Sequence, residues 1–377
     1  MVTAASVVVA VGTATGMITA LDDRQGTDEA RPAVSESPSA DPLPVVPPPP
    51  SPSPSPSPSR GALSPSPART ATPTPSRTGP RTEQRRATAP GRLYRHPASQ
   101  VLDWVRAHPG DPRTPVIESR IADQPAAVWF ADFQPDTVAS RVRAVTSGAA
   151  AQGRVPVLVA YAIPDRDCGG ASQGGAPGLG AYDGWIDRFA AGLGSGEVIV
   201  VLEPDAIAQS ECLSTGDRAA RFASLARAGR VLKAANPRAR VYYDAGHSGW
   251  RPAAEQAALL RQAGAASAAS SDGIFSNVSN FHRTADEIAY DRAVLDALGG
   301  PASLGAVIDT SRNGAGAPPD GEWCDPAGRK LGRAPTLATG EARIDAYLWV
   351  KLPGESDGCT GEPGEFTASY AYDLASS

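Results

Sequence analysis

The chain is poor in the residues that carry metal and redox chemistry. Its 377 residues include four cysteines, four histidines and two methionines. Neither a CxxC pair nor an HExxH motif occurs, so no metal centre and no cofactor is expected. No strand-like run is followed by GxGxxG or by a phosphate loop, which removes the nucleotide-binding folds. Positive charge is not in excess either. At a formal −5, no global field draws the chain to nucleic acid. Long apolar runs are equally scarce. Residues 2–21, VTAASVVVAVGTATGMITAL, carry no charge over a length that would cross a bilayer, but Ala, Gly and Thr dilute them. No basic segment precedes them, so as a signal peptide they are irregular. Residues 1–22 are expected to be an export signal or, failing that, a retained anchor.

Proline is plentiful, 37 in all, and unevenly spread. Residues 23–92, with PPPPSPSPSPSPS and ATPTPS, cannot bury a core and favour extended polyproline conformation. At about 3 Å per residue such a linker holds a domain far from its anchor and makes a tether to membrane or cell wall conceivable. From residue 93 to 377 the composition is that of a globular domain.

Within that domain, apolar runs alternate with helix-like stretches. The strand candidates are 126–132, 154–162, 197–205, 240–246, 273–281, 304–311 and 346–354. Ala-rich segments such as 217–236, stopped by Asn-Pro, lie between them. The alternation predicts an α/β fold: right-handed βαβ units forming a distorted barrel of about seven parallel strands. Strand ends in such folds carry the chemistry, and these ends are polar. They offer Asp132, then Tyr161 with Asp165 and Asp167, Asp205, Asp244, Asn277 and Asn280, Asp309, and Lys351 with Glu355 and Asp357. A ring of like charges is a poor structural device. With Trp129, Tyr161, Trp250 and Trp323 among them, the groups suit a sugar cleft: acids for the bond and flat faces for pyranose rings. Trp185 and Trp349 are assigned to the core. NVS at 277 is formally a glycosylation sequon, but Asn277 reads as a strand-end residue.

Six blocks, in order, carry a family resemblance: YAIPDRDCGGASQGGAP (161–177), VVLEPDAIAQSEC (200–212), YYDAGHSGW (242–250), IDTSRNGAG (308–316), EWCDPAGRKLG (322–332) and LWVKLPGESDGC (348–359). They resemble glycoside hydrolase family 6, a family of secreted β-1,4-glucanases that invert the anomeric centre without a metal. The resemblance implies that Asp205 is the general acid and that Asp167 raises its pKa and steadies the developing positive charge. Glu203 is then structural. Tyr161 would crowd the distorted sugar, and Ser172 would help hold the water. Asp357 matches the debated base, although an ion pair from Arg312 would make it a poorer one. Asp244 would line the cleft. Trp129, His247, Trp250, Asn280, Trp323, Lys351 and Glu355 would bind sugar, with His247 equally suited to orienting Asp244 or its loop. Four cysteines allow three pairings, and the family pattern implies Cys168–Cys212 and Cys324–Cys359. Short loops after Asp167 and Asp309 leave little for a roof over the cleft. The expectation is therefore an endo-acting cellulase, secreted or cell-surface anchored, working as a monomer on β-1,4-glucan. A cellobiohydrolase, a retaining glycosidase and a non-catalytic glycan-binding module are the alternatives.

Overall fold

A computed structural model describes residues 92–376. The expected export segment lies outside them, as does the linker up to residue 91. Nine strands form in chain order: β1 (Arg92–Leu93), β2 (Val128–Phe130), β3 (Arg154–Val155), β4 (Val157–Ala160), β5 (Val198–Leu202), β6 (Ala239–Asp244), β7 (Gly273–Ser276), β8 (Gly305–Asp309) and β9 (Ile344–Leu348). Seven of them make one parallel sheet in the order β2-β4-β5-β6-β7-β8-β9. Every strand returns beside its predecessor through a crossover, so all carboxyl ends share one face.

The expected strand at 154–162 is two strands, because Pro156 interrupts it without an N–H to donate. The first piece, β3, pairs instead with β1, which the sequence pattern did not reveal. The sheet curls but does not close its ladder between β2 and β9. Two hydrogen bonds bridge that seam: Ala127 N donates to the Trp349 carbonyl at 2.9 Å, and the Trp129 indole to that of Val350 at 2.8 Å.

Helices cover the outside: α1 (Gln100–Ala107), α2 (Thr114–Ile117), α3 (Pro135–Ala151), α4 (Leu179–Ala191), α5 (Thr215–Ala235), α6 (Ala253–Gln262), α7 (Thr284–Leu298) and α8 (Ala368–Ala375). The strands explain their own composition. Along β5, Val198, Val200 and Leu202 pack outward with the helices, while Ile199 and Val201 point into a second core inside the curl with Val159, Tyr242 and Phe275. Side chains alternate faces, and both faces are dry, so the run is continuously apolar. Trp185 and Trp349 are buried as expected.

Candidate active site

The strand-end turn after β5 is strained. Glu203 and Asp205 both sit in the left-handed region, at φ 51° and 68°, at a cost of about 1–3 kcal/mol each. Two anchors hold them there. The Glu203 carboxyl, fully buried, accepts the Ala162 N–H at 2.9 Å and that of Ile163 at 3.0 Å, joining the ends of β4 and β5. Burial pushes Glu203 up to about 7 against those two N–H groups. The second anchor is Asp244. Its Oδ2 accepts from Ile207 at 3.1 Å and Ala208 at 2.8 Å, and its Oδ1 from Gly246 at 2.9 Å.

Asp244 therefore lies beneath the cleft and not on its wall. It is 1 % exposed and pins the turn that presents Asp205. This corrects the expectation that it lines the cleft. The cause is the three convergent N–H groups, which draw its carboxylate inward. Asp205 points the other way. It is half-buried on the cleft surface. Desolvation, then the negative charges of Asp244 and Asp167, push its carboxyl well above the usual range. Its proton is therefore held to higher pH than that of an ordinary aspartate.

Asp167, also left-handed at φ 57°, opens the loop after β4. Its Oδ2 accepts from the backbone N–H of Ser172 at 2.8 Å and from the Ser172 hydroxyl at 3.0 Å. Since Ser172 spends its proton on Asp167, the Tyr161 hydroxyl at 2.8 Å must donate to Ser172 Oγ. Gly170 makes room, because a Cβ there would meet Asp167 Oδ2 at 2.5 Å. Arg166, which sequence reasoning passed over between two aspartates, ties this loop down. It donates to the carbonyls of Ser172 (2.8 Å) and Ala131 (2.6 Å), and its guanidinium lies 4.3 Å over the Tyr161 ring.

Asp357 faces the cleft in a cage. Arg312, fully enclosed, donates to its two oxygens at 2.7 and 3.1 Å, and Lys351 Nζ lies 3.4 Å away. Its loop hangs from Asp325, a residue the sequence reading missed. The Asp325 carboxylate accepts from the N–H groups of Asp357, Cys359 and Thr360 and from the Ser356 and Thr360 hydroxyls. Burial raises Asp325, but these donors outweigh it and hold the carboxyl at about 2. Nothing in the sequence separates this aspartate from a surface one except its place beside Cys324. Both bridges, Cys168–Cys212 and Cys324–Cys359, are present, and each adjoins one of these carboxylate loops.

The remaining expected groups line one continuous cleft of about 1180 Å³: Trp129, His247, Trp250, Asn280, Trp323, Lys351 and Glu355. Trp129 meets Tyr161 edge-on at 5.3 Å, and His247 lies 5.2 Å from Trp250. Trp323 stands 57 % exposed. Glu355 is raised by burial to about 7, despite Lys351 and Arg312 nearby. His247 accepts from the Gly249 N–H at 3.2 Å. Asp309 is buried, accepting from Ser311 and Lys351 N–H groups. Asn277 is also buried, its amide donating to the carbonyls of His282 and Asp309, so the sequon is structural. Asp132 stays at the surface near Arg141. Among the described residues, no three His, Cys, Asp or Glu side chains are grouped to hold a metal ion.

Comparison with known proteins bears on this arrangement. The description "Glycosyl hydrolases family 6" matches residues 85–375. Endoglucanase A of Thermobispora bispora is 50% identical over 284 residues, which is 75% of this chain and 61% of that protein. The chain thus spans less than two thirds of that relative. Endoglucanase 1 of Streptomyces sp. (strain KSM-9) is 52% identical over 284 residues, covering 75% of this chain and 77% of the relative. Among solved structures, an endoglucanase from Mycobacterium tuberculosis bound to a thio-linked cellobioside superposes with a TM-score of 0.71. It shares 42% identity, over 76% of this chain and 97% of that one.

Proposed function

The chain belongs to the glycosyl hydrolases family 6, and we propose that it is an endo-acting β-1,4-glucanase, cleaving cellulose or a related β-glucan with inversion. The observation that carries the reading is Asp205: a carboxyl on the cleft surface whose proton is held more tightly because of burial and of two neighbouring carboxylates. A carboxyl with a raised pKa is suited to protonate a glycosidic oxygen. In inverting cleavage a water attacks from the opposite face of the sugar as the leaving oxygen takes the proton.

Asp167 supplies negative charge to the oxocarbenium-like carbon and is held in place through Ser172. The Ser172 hydroxyl donates to Asp167 and accepts from Tyr161, which leaves one lone pair for the water. Asp357 is an unfavourable base, since Arg312 and Lys351 already engage it. Trp129, Trp250 and Trp323 serve as stacking platforms, with Asn280, Lys351, Glu355 and His247 as hydroxyl partners.

Internal cleavage follows from the cleft. Its volume exceeds the roughly 300–1,000 Å³ of sites for small ligands, and the exposure of Trp323 leaves a platform unroofed. A polymer can enter sideways. The expected cleft groups all come from one chain, in keeping with a monomer. Two disulfides suit an oxidising compartment, in keeping with export, residues 1–22 acting as signal or anchor and 23–92 as spacer or tether. One digest of carboxymethylcellulose tests the reading. The first anomer seen by proton NMR should be α, and viscosity should collapse while few reducing ends have formed. An initial β-anomer overturns inversion; slow viscosity loss with early cellobiose overturns the endo reading.

A further inference from the structure

The loop after β6, residues 245–250, presents His247 and Trp250 to the cleft. Its neighbour is the loop after β7, which ends in His282. The two imidazoles stack, with centroids 4.2 Å apart and planes 19° from parallel. His247 lies between His282 and Trp250, so three rings stand in a row across this wall. The contact is specified from both sides. Gly249 has no Cβ, and one added there would lie 2.4 Å from His282 Cε1. A side chain at position 249 would therefore require the His282 ring to move.

The backbone of His282 is firmly held. Its N–H donates to Asn277 Oδ1 at 3.0 Å, and its carbonyl accepts from Asn277 Nδ2 at 3.2 Å and Asn313 Nδ2 at 2.9 Å. Both asparagines are buried. Asn277 stays left-handed at φ 65°, an arrangement that places its amide against both ends of this loop. The first loop is held from below as well, where Ser248 N donates to Glu287 on α7 at 2.9 Å. Between these supports, the ring of His282 bears on the face of His247 at the shorter of its two ring contacts.

We propose that His282 is a positioning residue for substrate binding: its imidazole is a backstop that sets the orientation of His247 and, through it, of Trp250. The inference rests on the glucan-cleft reading above. Both rings work in the neutral form. Gly249 N–H occupies His247 Nδ1 at 3.2 Å, which leaves the proton on Nε2, free to donate to a sugar hydroxyl. Burial, and then the neighbouring His282, lower His247 to about 3. Burial lowers His282 too, against the pull of Asp286 on α7. The charged groups that act on the pair are therefore each other and Asp286, with Glu287 beneath the intervening Ser248. Two stacked imidazolium ions would repel, so the row persists only while both stay neutral.

The test compares His282→Ala, which removes the backstop, with His282→Phe, which keeps a flat ring. In His282→Ala the KM for cellotetraose should rise about 3- to 10-fold, the factor an aromatic pair is worth, with kcat within about 2-fold, an effect of binding and not of the chemical step. His282→Phe should recover most of the KM. A second readout needs no substrate. The His247 imidazole, followed by NMR in the full chain, should titrate at least one unit higher in His282→Ala than in the parent, and near the parent value in His282→Phe. Absence of glucanase activity in the parent would defeat the proposed function yet leave the titration to judge this inference. An unshifted His247 together with an unchanged KM in His282→Ala overturns it, as does a Phe variant no better than Ala. If His282→Ala does not fold, the Phe variant decides through the same two measurements: parent-like values support the proposal, and a raised KM with a shifted His247 overturns it.

Discussion

Replacing Arg312 with methionine would deprive the buried Asp357 carboxylate of its principal partner. The guanidinium is fully enclosed; it donates to Asp357 at 2.7 and 3.1 Å and to the Tyr370 hydroxyl at 3.1 Å, and lies 4.4 Å over the Phe281 ring. Asp357 is itself only 7 % exposed at the side chain. Breaking a buried pair by removing one partner costs about 3–5 kcal/mol, because the other charge stays buried without compensation. Lys351 Nζ at 3.4 Å and the Asp325 N–H at 3.2 Å remain, which places Arg312→Met at the lower end, about 3 kcal/mol. At about 2–4 °C per kcal/mol, Tm should fall by about 6–12 °C. Urea unfolding at pH 7, disulfides intact, measures the loss directly. The double variant Arg312→Met with Asp357→Leu removes both charges and should regain most of it, since apolar replacement of a buried pair is often neutral. A single variant within 1 kcal/mol of the parent, or a double variant no better than the single, would refute the argument.

Asp205→Ala should nearly abolish hydrolysis of cellulose while an aryl glycoside with a good leaving group loses far less; equal losses would remove Asp205 from the acid role. Glu203 bears on stability. Its folded pKa is raised to about 7 from 4.5, so the stabilisation from its protonated form is complete below the unfolded value and is lost as pH rises through the folded one. Relative to Glu203→Gln, the parent should therefore lose roughly 3 kcal/mol between pH 4.5 and 7, and parallel stability curves would contradict this. Reducing Cys168–Cys212 and Cys324–Cys359, separated by 44 and 35 residues, should cost about 4 kcal/mol each by loop entropy, read as a fall in urea midpoint. Expressed in a glycosylating host, the protein should carry no glycan at Asn277 by peptide mass, because that amide is buried and committed to two carbonyls.

The layers of this protein, and the positions where its chemistry is displayed, are legible in its residue pattern. Runs such as Val198–Leu202 are apolar at every position because both faces of a covered parallel strand are dry, and that requirement is local enough to read. The same holds for the polar residue that ends each run. Direction is another matter. Asp205 and Asp244 carry the same signal, an aspartate closing a buried strand. Yet one opens on the cleft and the other turns under it, because three backbone N–H groups from two different loops converge on Asp244. Asp325 was invisible for the same reason: its five donors come from residues 356–360, more than thirty positions on. Arg312 could be guessed as a partner of Asp357, but its complete enclosure could not, and enclosure is what makes the pair energetically large. The row of His282, His247 and Trp250 joins two loops that meet only because β6 and β7 are paired in register. Composition and periodicity report what one segment needs from its surroundings. Which segments meet those needs depends on non-local closure, and only the folded sheet decides it.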